Sequence, residues 1–337
     1  MEYIEKFLQN KGGFTYYDKL NNVERQIYDL LVYGFTNFKL KMTFNNVSDE
    51  KVQEILHYVL YDHPYIFYIS QEFLMTCLKS SVTFTFDLKY SKREIKVINK
   101  KINKKIKKIV KNIKSKAKNK YQEILMLNTY ICKNIARHDQ FSFSFEDGHI
   151  VGVLLNNKAR CEGISKFASI ILKILGHEVS MVHGYAWENN SRKVRHAWNL
   201  LRIDDNYYHM DFSYDLSYSS SSFVCKSFLF LTDDEIFKNH KYQKDIGYPK
   251  CTDESFNYFR INNQVVSTNN DYVNIRKNVY GKQVIIEYKY NYAISERQLE
   301  SNLQNIIVNN LKVDNWIDVV YRYVDDLNDV YLLVTLR

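Results

Sequence analysis

The segment Lys158-Ala159-Arg160-Cys161-Glu162-Gly163, continued by Ile164-Ser165-Lys166-Phe167-Ala168-Ser169-Ile170-Ile171-Leu172-Lys173-Ile174-Leu175-Gly176, decides how this chain is read. Ile164, Phe167, Ala168, Ile171 and Leu175 recur at helical spacing, which predicts a helix over 163–175. Gly176 stands where a C-terminal cap glycine belongs. Cys161 lies just before the helix. A thiol placed there is pushed toward the thiolate by the aligned peptide dipoles. Its own backbone N–H, at the same helix start, suits an oxyanion. Gly163 is read as relief from crowding where substrate passes the backbone.

A thiolate nucleophile needs a base and a group to orient that base. Strands are predicted at 178–185, 196–203 and 206–212, with Asp204-Asp205 as the turn between the last two. They carry Arg195-His196-Ala197-Trp198-Asn199 and Tyr207-Tyr208-His209-Met210-Asp211. A tight turn makes these strands antiparallel neighbours and brings Asp211 beside His196. Cys161 is then the nucleophile, His196 the base and Asp211 the orienter. Trp187, Trp198 and Arg160 are the candidate substrate contacts. His183, His209, Cys225 and His240 are assigned to structure and packing.

The five cysteines show no C-x-x-C pair and no zinc spacing. No metal and no cofactor is expected, and the thiols are read as reduced. Cys77 and Cys132 lie in apolar surroundings and are read as buried small hydrophobes.

The chain of 337 residues has room for two or three domains. Two prolines and ten glycines argue against long disordered linkers. The 28 tyrosines, with abundant Lys, Asn and Ile, fit compositional drift in an AT-rich genome. Residues 15–61 read as helical, with strands at 66–70 and 82–88. Ile95, Ile98, Ile102, Ile106, Ile109 and Ile113 form one apolar helical stripe. The lysines of 89–120 fall on the opposite face, and they carry much of the formal charge of +9. A solvated face explains them, and an anionic polymer is the partner they would suit. They are not interleaved with aromatics, which argues against nucleic acid. Ser217 to Ser222 reads as a surface loop, and Thr232-Asp233-Asp234-Glu235 as a capping box. The last 80 residues read as a small α/β unit in which no chemistry is apparent. The organisation expected is an accessory region at 1–119, a catalytic core at 120–245 and a C-terminal unit at 246–337.

The blocks around Cys161, His196 and Asp211 resemble the transglutaminase-like superfamily in their order and in their spacings of 35 and 15 residues. Ile135-Ala136-Arg137-His138-Asp139 is similar to a short upstream motif of that family, and Phe212-Ser213-Tyr214-Asp215 to its continuation after the aspartate. The resemblance covers about residues 120–240. The N-terminal part, including Tyr61-Asp62-His63-Pro64, resembles accessory regions of bacterial members from low-GC Gram-positive lineages. What this implies is an α+β, papain-like fold and thiol chemistry on amides. Arg160 stands where many members carry a small or apolar residue.

The function expected is acyl transfer or hydrolysis on a peptide or side-chain amide through a Cys161 thioester, with hydrolysis slightly favoured. Protein cross-linking or peptide ligation is the alternative reaction. A non-catalytic binding module on the same fold is the alternative class. The expected partner is a peptide or protein substrate. No apolar run reaches membrane-spanning length and the N-terminus shows no secretory signal, so a cytoplasmic location is expected. The sequence leaves the oligomeric state open.

Overall fold

The computed structural model describes residues 15–138, 144–187, 192–268, 275–307 and 316–336. Asp139 of the upstream motif lies outside them. Helix α1 (Asn22–Thr36) is capped by the Asn21 side chain, and α2 (Asp49–Asp62) by Ser48. The stretch 15–61 is not helical throughout, because strand β1 (Lys41–Asn45) separates the two helices. Met42 and Phe44 point inward there while Lys41, Thr43 and Asn45 face solvent, which is strand rather than helix periodicity. Strands β2 (Ile69–Leu78) and β3 (Ser81–Leu88) complete an antiparallel sheet of order β1-β3-β2. The strand expected at 66–70 therefore starts later and runs further. Its second half exposes Leu74, Met75 and Leu78, so no alternating burial marks it in the sequence. Cys77 is exposed on this edge strand and Cys132 is half-buried, so neither is the buried hydrophobe expected.

Helix α3 (Lys92–Lys116) buries Ile95, Ile102, Ile106, Ile109, Val110 and Ile113, and the Ser91–Glu94 capping box closes its start. Helix α4 (Lys120–Asn134) follows a three-residue break. Two short strands, β4 (Ala136–Arg137) and β5 (Lys158–Ala159), pair in parallel and lead into α5 (Cys161–Leu175). Gly176 ends α5 with φ of 95°, a conformation that suits glycine.

The central sheet has the order β8-β7-β6-β9, all antiparallel. Its strands are β6 (Glu178–Ala186), β7 (Val194–Ile203), β8 (Asn206–Met210) and β9 (His240–Tyr242). Asp204 turns between β7 and β8 in the left-handed region, doing without a glycine. Phe212 belongs not to β8 but to helix α6 (Phe212–Tyr218), because the Asp211 side chain caps that helix. Ser217 is therefore helical, and the surface loop starts after Tyr218. The Thr232 capping box opens α7 (Asp233–Ile236) as expected.

The C-terminal unit is a five-stranded sheet of β10 (Val265–Val266), β11 (Lys277–Tyr280), β12 (Gln283–Tyr290), β13 (Trp316–Val324) and β14 (Asp329–Leu336). Helix α8 (Glu296–Asn305) packs on it through Leu299 and Leu303. The whole is an α+β fold. One apolar cluster runs from α1 and α2 through α3 and α4 to α5 and the central sheet. Each fully buried Leu, Ile or Phe in it contributes about 1.5–3 kcal/mol. The C-terminal unit has its own cluster, and a third, with Tyr214, Phe228, Leu327 and Tyr331, joins that unit to the central sheet.

Asp215 of α6 is fully buried and accepts the Phe228 N–H at 2.9 Å through Oδ1. Burial pushes its carboxyl up to about 7. An unfolded aspartate titrates near 3.9, so between about pH 4 and 7 the folded chain binds the extra proton. Stability from this group therefore falls as pH rises through that window, by up to about 1.4 kcal/mol per pH unit. Asp215→Asn should remove this slope. Urea melts of both proteins at pH 5 and pH 8 should show the variant gaining on the wild type at the higher pH. Parallel curves would refute the assignment.

Candidate active site

Cys161 is the first residue of α5, and Arg160, the residue before it, makes no side-chain cap. The first intrahelical bond runs from Ile164 N to Arg160 O, so the N–H groups of Cys161, Glu162 and Gly163 have no acceptor within the helix. They and the helix dipole offer an anion-stabilising end beside the sulfur. Gly163 is needed for a different reason from the one expected. A Cβ there would come within 2.5 Å of the Asp147 carbonyl oxygen and 3.2 Å of the His149 one. The chain's own 145–149 segment, not a substrate, makes the close approach.

Helix α5 is held against β7 by polar bonds inside the core. Ser165 Oγ donates to the Ala197 carbonyl at 2.9 Å. Asn199 Nδ2 donates to the Ser165 carbonyl at 3.1 Å and to Ser169 Oγ at 2.9 Å. These bonds fix the nucleophile's helix relative to the strand that carries His196.

His196 Nε2 lies 2.6 Å from Asp211 Oδ2. Burial disfavours charge on this imidazole, but Asp211 and then Cys161 outweigh it and push His196 up to about 10. Burial likewise raises the Cys161 thiol. The His196 charge, a hydrogen bond with His196 and one with the Ala197 backbone together bring it below its ordinary value. Asp211 is held far below the carboxylate range despite burial, chiefly by His196 and then His240. Each of the three shifts favours the charged form of its group: thiolate, imidazolium and carboxylate.

Asp211 is wholly buried and fully used. Its Oδ1 accepts Ser213 N at 2.9 Å, Ser213 Oγ at 2.9 Å and Tyr214 N at 3.0 Å. Its Oδ2 accepts His196 and, at 2.9 Å, His240 Nε2. His240 was read as structural, yet it is the second imidazole on the carboxylate. It sits on β9, and no local motif announces it.

Of the candidate substrate contacts, Trp187 is half-buried at the end of β6, with Lys193 Nζ 4.6 Å from its ring centre. Trp198 is fully buried and is no surface contact. It alternates inward with His196 and Leu200, stacks on Tyr242 and donates its indole N–H to His209 Nδ1 at 3.0 Å. Arg160 reaches over Gly148, where a Cβ would meet its Nη2 at 2.8 Å, so its side chain braces the 145–149 segment. Glu162, not singled out in the sequence, is the charged neighbour of the thiol. Burial raises its carboxyl, but Lys166, His183 and His149 bring it to about 2, and Lys166 Nζ lies 2.7 Å away. A cleft of about 290 Å³ opens between α2 and β6, lined by His57, Tyr58, Tyr61, His183 and Tyr248. Tyr61 and His183 stack in it at 3.4 Å, and both feel the Glu162 charge.

Two groups have the composition of metal ligands. One is His196, Asp211 and His240, and the other is His209, Asp233 and Cys251. In the second, Trp198 donates to His209 Nδ1, so the neutral ring carries its proton on Nε2, which lies 3.0 Å from Asp233 Oδ1. That nitrogen has no lone pair to give. In the first, both imidazoles turn Nε2 to a single carboxylate oxygen, an arrangement of donors around an acceptor.

Residues 107–212 match the family model of the transglutaminase-like superfamily. This segment belongs to that superfamily. Among solved structures, the chain is similar to a TGase, with TM-score 0.32 and 13% identity over 55% of this chain and 54% of that one. It is also similar to a "putative cysteine protease from Cytophaga hutchinsonii", with TM-score 0.29 and 15% identity over 42% of this chain and 61% of that one. The chain thus spans little more than half the length of these structures. No curated protein matches it. Among the described residues, no helix is long and apolar enough to cross a membrane.

Asp211→Asn tests the electrostatics. The amide oxygen can still cap α6, but an NH2 group then faces two imidazole N–H donors. Cys161 alkylation at pH 7 should fall by about tenfold or more as His196 loses its counter-charge. The melting temperature should fall as well, because buried donors are left facing each other. Unchanged alkylation would remove Asp211 from the triad.

Proposed function

We propose that the protein is a cysteine acyltransferase or hydrolase acting on a peptide or side-chain amide. The observation that carries this reading is the 2.6 Å contact between His196 and Asp211, with His196 hydrogen-bonded to a Cys161 thiol at an uncapped helix start. Cys161 Sγ attacks the carbonyl carbon, and the N–H groups of the first turn of α5 receive the oxyanion. His196 gives its proton to the leaving amine, and the thioester remains on Cys161. Water, or a second amine, then attacks the thioester with His196 as base. Hydrolysis is our preferred outcome, and transamidation differs only in the second nucleophile. The aromatic cleft of Tyr58, Tyr61 and His183 is our candidate for the substrate's approach, because its inner residues sense Glu162 beside the nucleophile.

Iodoacetamide labelling across pH tests the centre. Cys161 should react selectively and well below the free-thiol pKa of roughly 8.5. Cys132, pushed up by burial to about 12, and Cys251, pushed up further by burial, should lag. Labelling of Cys161 no faster than of exposed Cys77 would sink the reading. Cys161→Ala should abolish turnover of any amide found in a library screen while the fold persists.

One observation favours a second activity, binding of an anionic polymer through α3. This helix carries twelve Lys or Arg residues and one Glu, more net charge than the chain's +9. All twelve are exposed and, among the described residues, none is in an ion pair. Like charges three and four apart destabilise a bare helix, so a polyanion would relieve them. Retention on immobilised heparin should fall steeply with salt and survive Cys161→Ala. Retention that does not change with salt would exclude this mode.

A further inference from the structure

We infer that Asp326, in the C-terminal unit, is a positioning residue of the thiol centre, setting through Asn239 which protons His240 presents to Asp211. The inference rests on the Cys161, His196 and Asp211 reading above. A continuous hydrogen-bond chain leads from one to the other. Asn239 Nδ2 donates to Asp326 Oδ2 at 2.7 Å. Asn239 Oδ1 bonds His240 Nδ1. His240 Nε2 lies 2.9 Å from Asp211 Oδ2, the oxygen that also holds His196.

The direction of this chain follows from donor and acceptor chemistry. A carboxylate only accepts. Ionised Asp326 therefore takes the NH2 end of the Asn239 amide and turns its oxygen to His240. His240 Nδ1 must then donate. Its Nε2 meets Asp211, also acceptor only, and must donate as well. Both ring nitrogens thus face acceptors, which favours the doubly protonated ring against the burial that disfavours it. Without ionised Asp326, Asn239 can turn and offer its NH2 to Nδ1. His240 then satisfies Asp211 as a neutral ring with its one proton on Nε2.

The groups around His240 define what that proton does. His196 lies 5.2 Å away between ring centres and Tyr214 4.8 Å away. His209 is the other imidazole that acts on it, and Asp211 is the nearby carboxylate. Burial opposes charge on His240, Asp211 favours it, and the His196 and His209 charges oppose it, a balance that leaves the ring at about 4. A charged His240 therefore competes with His196 for the same carboxylate oxygen. Around Asp326 itself, burial opposes ionisation, as does Asp325, while the Asn239 hydrogen bond and Lys238 favour it.

The fold holds the chain in place from both ends. Asn239 and His240 are buried, and the Asn239 carbonyl accepts Trp187 N–H at 3.1 Å. Asp326 sits in the turn between β13 and β14, next to Leu327, which is buried in the cluster shared with Ala186 and Tyr214. Lys226 N donates to Tyr331 Oη at 2.8 Å, a second tie between core and C-terminal unit.

The test uses the full chain and Asp326→Asn, which keeps the shape and removes the acceptor-only character, with Asp326→Ala as a second variant. Two quantities are measured: the protonation of His240 by imidazole 15N NMR, and the pH profile of Cys161 alkylation by iodoacetamide. His240 should take up its second proton at a lower pH in both variants than in the wild type. Less positive charge then faces Asp211, whose carboxylate opposes the Cys161 thiolate, so the acid limb of the alkylation profile should move to higher pH by at least about half a unit. A merely structural Asp326 would leave His240 and the profile of Asp326→Asn unchanged, and that result, or a shift to lower pH, overturns the inference alone. Absence of selective Cys161 labelling in the wild type overturns the thiol-centre reading and this inference with it.

Discussion

Everything in the site depends on one buried carboxylate. Asp211 follows β8, caps α6, holds His196 and receives His240. Taking a carboxylate out of water costs several kcal/mol even after relaxation. Five donors from three parts of the chain offset that cost, so the ion stays charged where an unpaired one would be neutralised. The same saturation gives direction. Oδ1 is committed to the first turn of α6, which leaves Oδ2 aimed at the imidazoles. The orientation of His196 thus follows from helix capping as much as from any feature of the catalytic strand.

The nucleophile depends on a second constraint, the seating of α5 on β7. Ser165, Ser169 and Asn199 bond across that contact inside an otherwise apolar core. Apolar packing alone tolerates sliding by a fraction of an ångström, whereas a bonded Asn amide does not. Gly163 and the 145–149 segment close the other side. The sulfur is therefore placed by groups that do no chemistry. Its ionisation is the balance of burial, which opposes it, against His196 and the helix end, which favour it.

The helix after Cys161 and the strand pair carrying His196 and Asp211 were legible in the sequence, because periodicity and a short turn specify local geometry. The pairing of His196 with Asp211 followed from strand adjacency alone. The contributions of His240, Glu162 and the 145–149 segment were not legible. His240 reaches Asp211 only because β9 joins the far edge of the sheet, and sheet order is not written in local spacing. Trp198 is a candidate substrate contact by its proximity to His196 in sequence, whereas β7 is buried on both faces and Trp198 packs against Tyr242 and His209. Strand β1 was hidden in a stretch read as helical, since five residues with two inward apolar positions resemble a helix turn as readily as a strand.

The C-terminal unit shows why a region without chemistry of its own matters to a site. Lys289 is nearly buried and pairs with Asp329 at 3.2 Å and with Glu235 at 3.5 Å, and Lys226 pairs with Glu287. Such buried pairs add little net stability, because desolvation consumes most of the attraction. Breaking one by displacement is expensive, because it strands a charge. Glu235 lies in α7, five residues before His240, and Lys226 lies between α6 and α7. A slide of the C-terminal sheet would part these pairs and the Asn239 to Asp326 bond together. The pairs therefore act as register pins. They keep the turn that bears Asp326 opposite the strand that bears His240, and through it opposite the carboxylate on which the site is built.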